Sequence, residues 1–535
     1  MDKTEKDRKK RKLIRQAEDK ALCLFAFLIF FILICLFLSC FFSAIFPQNN
    51  FLILKKKSVW SFLLYSTEES FLSTLLALIL AFPFSFFISK RSFPGKKVLQ
   101  SFSAIPLSLP ALVISLGFIS LYGMNGSVNL FLKSILKTEK VPLNFLYSFW
   151  GIVIIQGFYN FPLVMTGIAD VWKKLDTSEE KAARLLGSSK LKTFFTVTVP
   201  KLFPAIISSL IPVFIFSYFS FVIVLLFGKI GKSTLEVAVY HSAKNLLDFK
   251  SARSLALLET LSLLFFLSIF RSLEKKSASY KNSLSQNESD AKKIDKKELV
   301  ILFLLLIPVF FFFILPLLSV FIKALKGSFF VLKSKVFYRA LINTIITGLF
   351  TSFFSTTAGL FSSLAIYRLD TKKKIFFKNL FMIPLCVSSV ILGFGMTELF
   401  HETNPLILIL CQSSLYWPFA FTLIFSSLEK TEKEIFNSAI LLSNPQRAVR
   451  QVMLSYAKNG IYSALAFTFT MSAGDSVLPL ILSIRDFDTL ALFTFRLASS
   501  YRIKEACFSG IIMTFICSLS FAAETAFKKK YMIKK

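Results

Sequence analysis

The side chains that most readily do chemistry are few in this chain of 535 residues. Its 2 His, His241 and His401, have no ligand-spaced partners, so a histidine-bound metal is not expected. The 7 Cys, Cys23, Cys35, Cys40, Cys386, Cys411, Cys507 and Cys517, stand in or beside apolar runs without C-x-x-C spacing. They read as small buried hydrophobes rather than metal ligands or disulfide partners. The "GKST" of Gly231–Thr234 matches the end of a phosphate loop, but the first glycine of that motif would fall on Leu226, so no ATP hydrolysis by this chain is expected. What stands out is one acid, Asp475, in "TFTMSAGDSVLPL". An ionisable group inside an apolar span costs about 2.5–3.5 kcal/mol on insertion scales and as a rule faces a cavity or a partner. Asp475 is therefore a candidate for a ligand pathway that takes a cation, with Tyr159, Asn160 and Trp417 available for stacking and a hydrogen bond. The alternative is an acid at the external end of its helix, solvated or tied to backbone after Gly474.

The elements that would hold these residues are membrane helices. With 55% hydrophobic residues and 66 Phe, the composition is that of an integral membrane protein. About twelve continuously apolar runs approach the roughly 20 residues that cross a bilayer. They lie at 21–46, 68–89, 100–122, 147–170, 202–227, 253–273, 299–323, 340–367, 378–400, 405–428, 460–484 and 506–527. None alternates as a barrel strand would, so the fold class is all-α. The first run is too long for a secretory h-region and reads as an uncleaved anchor.

The halves repeat. Ile105-Pro106-Leu107 matches Ile383-Pro384-Leu385 at an offset of 278, each after a basic turn, "SKRSFPGKK" or "YRLDTKKK". Further on the offset is 255, carrying Val197 to Val452 and Thr234-Leu235 to Thr489-Leu490. Six spans per half in one orientation make two parallel repeats. The expected organisation is a basic cytoplasmic segment at 1–20, a first repeat at 21–273, a polar mobile linker at 274–298 and a second repeat at 299–535. About two-thirds of the 63 Lys and Arg fall on the side of the N-terminus, which places both termini in the cytoplasm by the positive-inside rule. "KKK" at Lys55–Lys57 and the basic loops near 229–253 and 323–339 depart from that bias.

One segment is too polar for its surroundings: "EKAARLLGSSKLKTFFTVTVP", Glu180 to Pro200, between two spans. A short helix, a glycine turn and a second helix stopped by proline would form a rigid cytoplasmic knob; the plainer alternative is a basic amphipathic helix lying on the membrane surface. The segment resembles the cytoplasmic loop motif of ABC-importer permeases, in which Glu-Ala-Ala is followed at fixed spacing by Gly and by an aliphatic-x-aliphatic-Pro end. Ala182, Ala183, Gly187, Val197, Val199 and Pro200 match, with Lys181 at the usual Glu position and Glu180 just before it. A second, worn copy, "IFNSAILLSNPQRAVRQVMLS", puts Ser438 at the second Ala and either Leu442 or Ser443 at the Gly.

Nearly the whole chain resembles the fused two-half permeases of thiamine ABC importers, through "FPGKK", "IPLSLPALVISLGFISLYG", "FYNFPL", "TLEVAVYHSAKNLLDFKSARSLALLE", "ALAFTFTMSAGD" and "DFDTLALFTFRLASSYR". Ferric-iron permeases share the two-half plan. Leu482-Ser483 and Ala491 depart from the thiamine pattern, where Phe-Gly and Pro are common. The resemblance implies a permease of the bacterial inner membrane without catalysis or cofactor of its own, which receives ligand from an external binding protein. A cytoplasmic ABC ATPase dimer, carrying the ATP, would dock on the two loops. Nucleic acid is not an expected partner, because the net charge of +32 is dispersed over membrane-flanking segments beside the anionic leaflet. A polytopic membrane enzyme is the alternative of another class, but no external loop carries the necessary carboxylate or histidine cluster; a channel would need a filter loop or charged ring.

Overall fold

The computed structural model describes residues 3–45, 53, 55–102, 105–228, 232–277, 292–367, 369–400, 402–429 and 453–532. Regular structure among them is helical, apart from a parallel bridge in which Arg91–Ser92 pairs with Lys292–Lys293. Among the described residues ten helices are long and apolar enough to cross a membrane, and one further pair, Lys372–Cys386 and Ser389–Leu399, passes the same test together but is bent by 79°, as in a broken span or a re-entrant loop. The expected run at 460–484 is helix Leu454–Gly474, 21 residues or about 31 Å long, followed by a break and the short helix Val477–Leu482. It carries many Ser and Thr because it packs inside its unit, against Lys335–Tyr367 and Pro405–Glu429, and has little need of a lipid-facing surface.

The chain forms two compact units, and neither is one sequence repeat. One comprises Gln48–Ser334 with Thr494–Thr514; the other comprises Met1–Pro47, Lys335–Phe493 and Phe515–Lys535. The first span of each sequence repeat thus belongs to the unit that holds most of the other repeat. In the first unit, helices Lys57–Lys90 and Phe149–Lys174 pair over a core of Phe84, Phe161, Met165, Trp172, Leu202 and Val213, and Phe313 of the later span joins it. In the second unit, Lys335–Tyr367 and Pro405–Glu429 enclose Trp417, Phe421 and Phe425, met by Ile29 and Leu33 of the N-terminal helix Lys3–Ile45.

Two glycines at the 278 offset make these crossings possible. A Cβ on Gly117 would lie 2.7 Å from the Pro316 carbonyl oxygen, and one on Gly395 would overlap the Cys40 carbonyl oxygen. Both obstacles are backbone, which cannot swing aside as a side-chain tip can.

The expected spans at 100–122 and 378–400 break at the repeated Ile-Pro-Leu. The first divides into Lys96–Ser101, Ile105–Ser108 and Ala111–Tyr122; the second tightens to a 3₁₀ turn at Ile383–Cys386 before Ser388 caps the next helix by accepting from the Ile391 N–H. Proline without an N–H, two positions into a turn, leaves the helix short of a ladder bond. Of the linker, residues 274–277 end helix Phe249–Ser277, and the chain is described again from Lys292, where it is held by pairing. Besides the bridge, Arg91 makes a two-pronged pair with Glu298 at 2.7 and 2.5 Å, and Asp295 with Glu298 forms a capping box that starts helix Lys296–Val309.

Gly117→Ala and Gly395→Ala are each expected to lower the thermal unfolding midpoint of the detergent-solubilised protein, from a loss on the order of 1–3 kcal/mol through overpacking. A midpoint equal to that of the unsubstituted protein would mean that these crossings part without cost.

Candidate functional site

The polar segment between two spans folds as a pinned hairpin. Helix Ser178–Leu185 is preceded by Asp176, whose carboxylate accepts from the Ser178 hydroxyl at 2.7 Å and its N–H at 2.9 Å; those bonds hold its pKa below the usual carboxylate value. The helix ends in a Schellman turn. Gly187 has φ +86°, its N–H donates to Arg184 O, and the Ser188 N–H donates to Ala183 O, both at 3.0 Å. Glycine takes this left-handed conformation without a Cβ penalty, and open space surrounds it. Ser189 then caps the returning helix through the Lys192 N–H.

That returning helix corrects one expectation: Pro200 does not stop it. Lys190–Thr193 runs through a π-turn at Phe194–Thr198 into Val199–Tyr218, so the hairpin continues into a membrane-length helix. The Val199 N–H bonds Phe194 O, and the wider turn gives room at the point where Pro200 has no N–H to donate and would crowd the carbonyl four residues back. Glu180 and its neighbour fasten the two arms. The Thr198 hydroxyl donates to Glu180 at 2.7 Å, and Lys201 pairs with Glu179 at 2.8 Å. Ala182 is exposed and Ala183 half-buried, while Leu185 and Leu186, each 89% exposed, form an apolar tip with Leu191 and Phe195 close by. Sequence spacing found the turn but missed Thr198, Lys201 and the leucine tip. In the second copy, Ser438, Leu442 and Ser443 lie outside the described residues.

Of the ligand-pathway candidates, Asp475 and Trp417 belong to one compact unit and Tyr159 and Asn160 to the other. Asp475 is buried at the break after helix Leu454–Gly474. One carboxylate oxygen accepts from the Val477 and Leu478 N–H groups at 2.8 and 3.3 Å; the other accepts from Tyr416 at 3.0 Å and Gln412 at 3.2 Å. The Gln412 carbonyl accepts in turn from Ser472 and Thr351. The aromatic partner of Asp475 is therefore Tyr416 and not Trp417, which turns instead toward Phe30 and Phe381 with ring centres at 5.2 and 5.3 Å. Adjacent helical residues face about 100° apart, so only one of the two can reach the acid. Tyr159 shares its hydroxyl proton between Pro106 O at 2.9 Å and Leu109 O at 2.7 Å, holding the broken Ile-Pro-Leu segment. Asn160 is buried, and its Oδ1 has no hydrogen-bond partner among the described residues. Gln412 was legible in one respect: aligning Pro162 with Pro418 places it opposite Gln156.

The "GKST" residues that are described lead into helix Leu235–Tyr240, whose first N–H is held by Ser66, an arrangement unlike a phosphate cradle. Among the described residues no cluster of three or more His, Cys, Asp or Glu is placed to hold a metal ion.

Comparison with known proteins places this architecture. Residues 73–276 match the model of the family described as binding-protein-dependent transport system inner membrane component. The thiamine transport system permease protein ThiP of Escherichia coli (strain K12) is 24% identical over 495 residues, covering 89% of this chain and 90% of its own length. ThiP of Brucella abortus (strain 2308) is 24% identical over 485 residues, 86% of each chain. A Salmonella typhi permease protein, PhnU, provisionally named for 2-aminoethylphosphonate transport, is 30% identical over 209 residues, 39% of this chain and 72% of its own. A multi-pass helical chain that matches permeases from end to end belongs to the family of binding-protein-dependent transport system inner membrane components.

Proposed function

We propose that this chain is the permease subunit of an ATP-driven importer for thiamine or a thiamine phosphate. One observation carries the substrate: the match to thiamine permeases extends over about nine-tenths of both chains, through both repeats, whereas the 2-aminoethylphosphonate permease matches 39% of this chain. In this reading the protein sits in the bacterial inner membrane with both termini cytoplasmic. It takes ligand from an external binding protein and binds no cofactor itself. The pinned hairpin supports the coupling role. Two exposed leucines on a polar loop form the kind of apolar patch that marks a protein contact, and the ATPase dimer is the partner assigned to it and to its worn second copy.

Asp475 serves the pathway as a positioning residue. Its two oxygens are already engaged by four donors, so its work is to hold the break between Gly474 and Val477 and to orient Tyr416 and Gln412. Tyr159 does the equivalent for the Ile-Pro-Leu break, with Asn160 and Trp417 lining their own units.

Three outcomes are expected. Cells lacking their own thiamine uptake should accumulate labelled thiamine when given this chain with its ATPase and binding protein, and should not gain ferric-iron uptake; iron without thiamine would overturn the substrate. Gly187→Val places a β-branched residue at φ +86°, at an energetic cost on the order of 1–2 kcal/mol. It should reduce ATPase co-purification and uptake at least tenfold at unchanged membrane levels, with a smaller loss from changes at Leu442 or Ser443; equal loss from both loops would contradict the asymmetry. Asp475→Asn puts an N–H₂ where Tyr416 and Gln412 donate, so uptake and the thermal midpoint should fall together. Uptake lost at an unchanged midpoint would instead make Asp475 a direct ligand contact.

A further inference from the structure

A second buried acid has a different environment. Glu69, on helix Lys57–Lys90, has the side chains of Ser70, Ser73 and Gln156 as its polar neighbours, the last from helix Phe149–Lys174. Glu69 and Ser73 are 0% exposed and Gln156 is 1% exposed. The Ser70 hydroxyl bonds the carboxylate at 3.4 Å on Oε2, and Gln156 and Ser73 stand beside it as further donors. Among the described residues Glu69 Oε1, Ser73 Oγ and both amide atoms of Gln156 complete no well-aligned hydrogen bond, nor does Asn160 Oδ1 one helical turn beyond Gln156. Native interiors rarely leave so many neighbouring polar atoms unmatched, and an ionisable residue within a membrane helix ordinarily serves a solute path.

The other repeat shows the same framework completed. At the 278 offset Ser73 corresponds to Thr351 and Glu69 to Thr347; aligning Pro162 with Pro418 makes Gln412 the counterpart of Gln156 and Tyr416 that of Asn160. There Thr351 donates to Gln412, Gln412 and Tyr416 donate to Asp475, and Thr347 donates to Asn343 O in its own helix. The framework therefore stands without an acid at the Glu69 position, and in the first repeat the acid points into a set of unfilled donors and acceptors.

We propose that Glu69, Ser73, Gln156 and Asn160 form a subsite for the cationic, N–H-donating part of the transported solute, an inference that rests on the importer reading above. A carboxylate balances positive charge and accepts from N–H, and the adjacent carboxamide offers one donor and one acceptor. Together they suit an organic cation or amino-heterocycle better than a bare metal ion, which would find one carboxylate and otherwise neutral oxygens.

The test uses the whole complex in proteoliposomes, with permease, ATPase and binding protein loaded with labelled thiamine, and reads thiamine moved per ATP hydrolysed. Glu69→Gln is expected to lower that ratio at least fivefold while hydrolysis stimulated by the loaded binding protein persists, and Glu69→Asp to restore part of it. If Glu69→Gln does not accumulate, Ser73→Ala and Gln156→Met are expected to show the same loss of ratio. A ratio equal to that of the unsubstituted complex in the variants that accumulate, as a neutral carboxyl bonded to Gln156 would give, overturns the subsite and leaves the importer reading intact. Hydrolysis and uptake falling in parallel would also overturn it, as a packing role. An unsubstituted complex that moves no thiamine overturns both.

Discussion

Hydrocarbon offers no hydrogen bonds, and this constraint explains how a chain with so many interrupted helices holds together. A carbonyl or N–H released by a break must be met by another protein group, because leaving it buried and unmet costs about 1–3 kcal/mol even in soluble proteins. The breaks here are met by polar side chains on neighbouring helices. Tyr159 serves Pro106 and Leu109; Ser66 and Thr344 hold the Leu235 and Leu490 N–H groups at 2.8 and 2.6 Å; Asp475 holds Val477 and Leu478. Asn343 donates to Asp488 O, and Thr403 to Leu482 O. A helix that supplies such a stitch fixes where its neighbour can end, so the position of each break follows from a polar residue elsewhere in the sequence.

This dependence also sets what a reader of the sequence can see. The spans are legible because apolar length is a local property, and Gly187 is legible because a Schellman turn needs glycine at one fixed place. The breaks at Ile105-Pro106-Leu107 and Ile383-Pro384-Leu385 show in the sequence as a repeated motif inside apolar runs of spanning length, and proline, common in membrane helices, does not by itself mark a break there. The pairing of Asp475 with Tyr416 instead of Trp417 was invisible for another reason. It depends on the rotation of helix Pro405–Glu429, which is set by Phe30 and Phe381 of other elements packing on Trp417. Proline at 200 misled for the converse reason: its usual helix-breaking effect is absorbed by a π-turn that no composition rule announces.

The repeats have kept and changed different things. Kept at matching offsets are the hydroxyls that hold Leu235 and Leu490, and the glycines Gly117 and Gly395 where a foreign helix crosses. At such positions backbone geometry admits only a small donor-acceptor or no side chain at all. Two of the buried acids stand at unmatched places: Glu69 rises from the second span of its repeat, Asp475 from the end of the fifth in the other. An acid is free to move because several neighbouring helices border the same interior, whereas a stitch must come from the helix that faces the break. The two sequence repeats thus present carboxylates with unlike surroundings, one accepting from four donors and the other, among the described residues, with an oxygen unbonded.

The hairpin at 178–200 carries a mechanical consequence. In the coupling role proposed for it, the hairpin would transmit motion only if it were stiffer than the elements it drives. Here Thr198–Glu180 and Lys201–Glu179 lock the two arms, and the returning helix passes without a loop from Lys190 to Tyr218, burying Leu202 and Val213 in the core of its unit. Force applied at Leu185 and Leu186 therefore reaches Phe161 and Trp172 through packed side chains. Beyond the hairpin, Pro204 and Pro212 leave ladder bonds missing, and helices bend at such points. These points divide the helix into short rigid lengths, so a displacement at the hairpin would be taken up as bending at fixed residues.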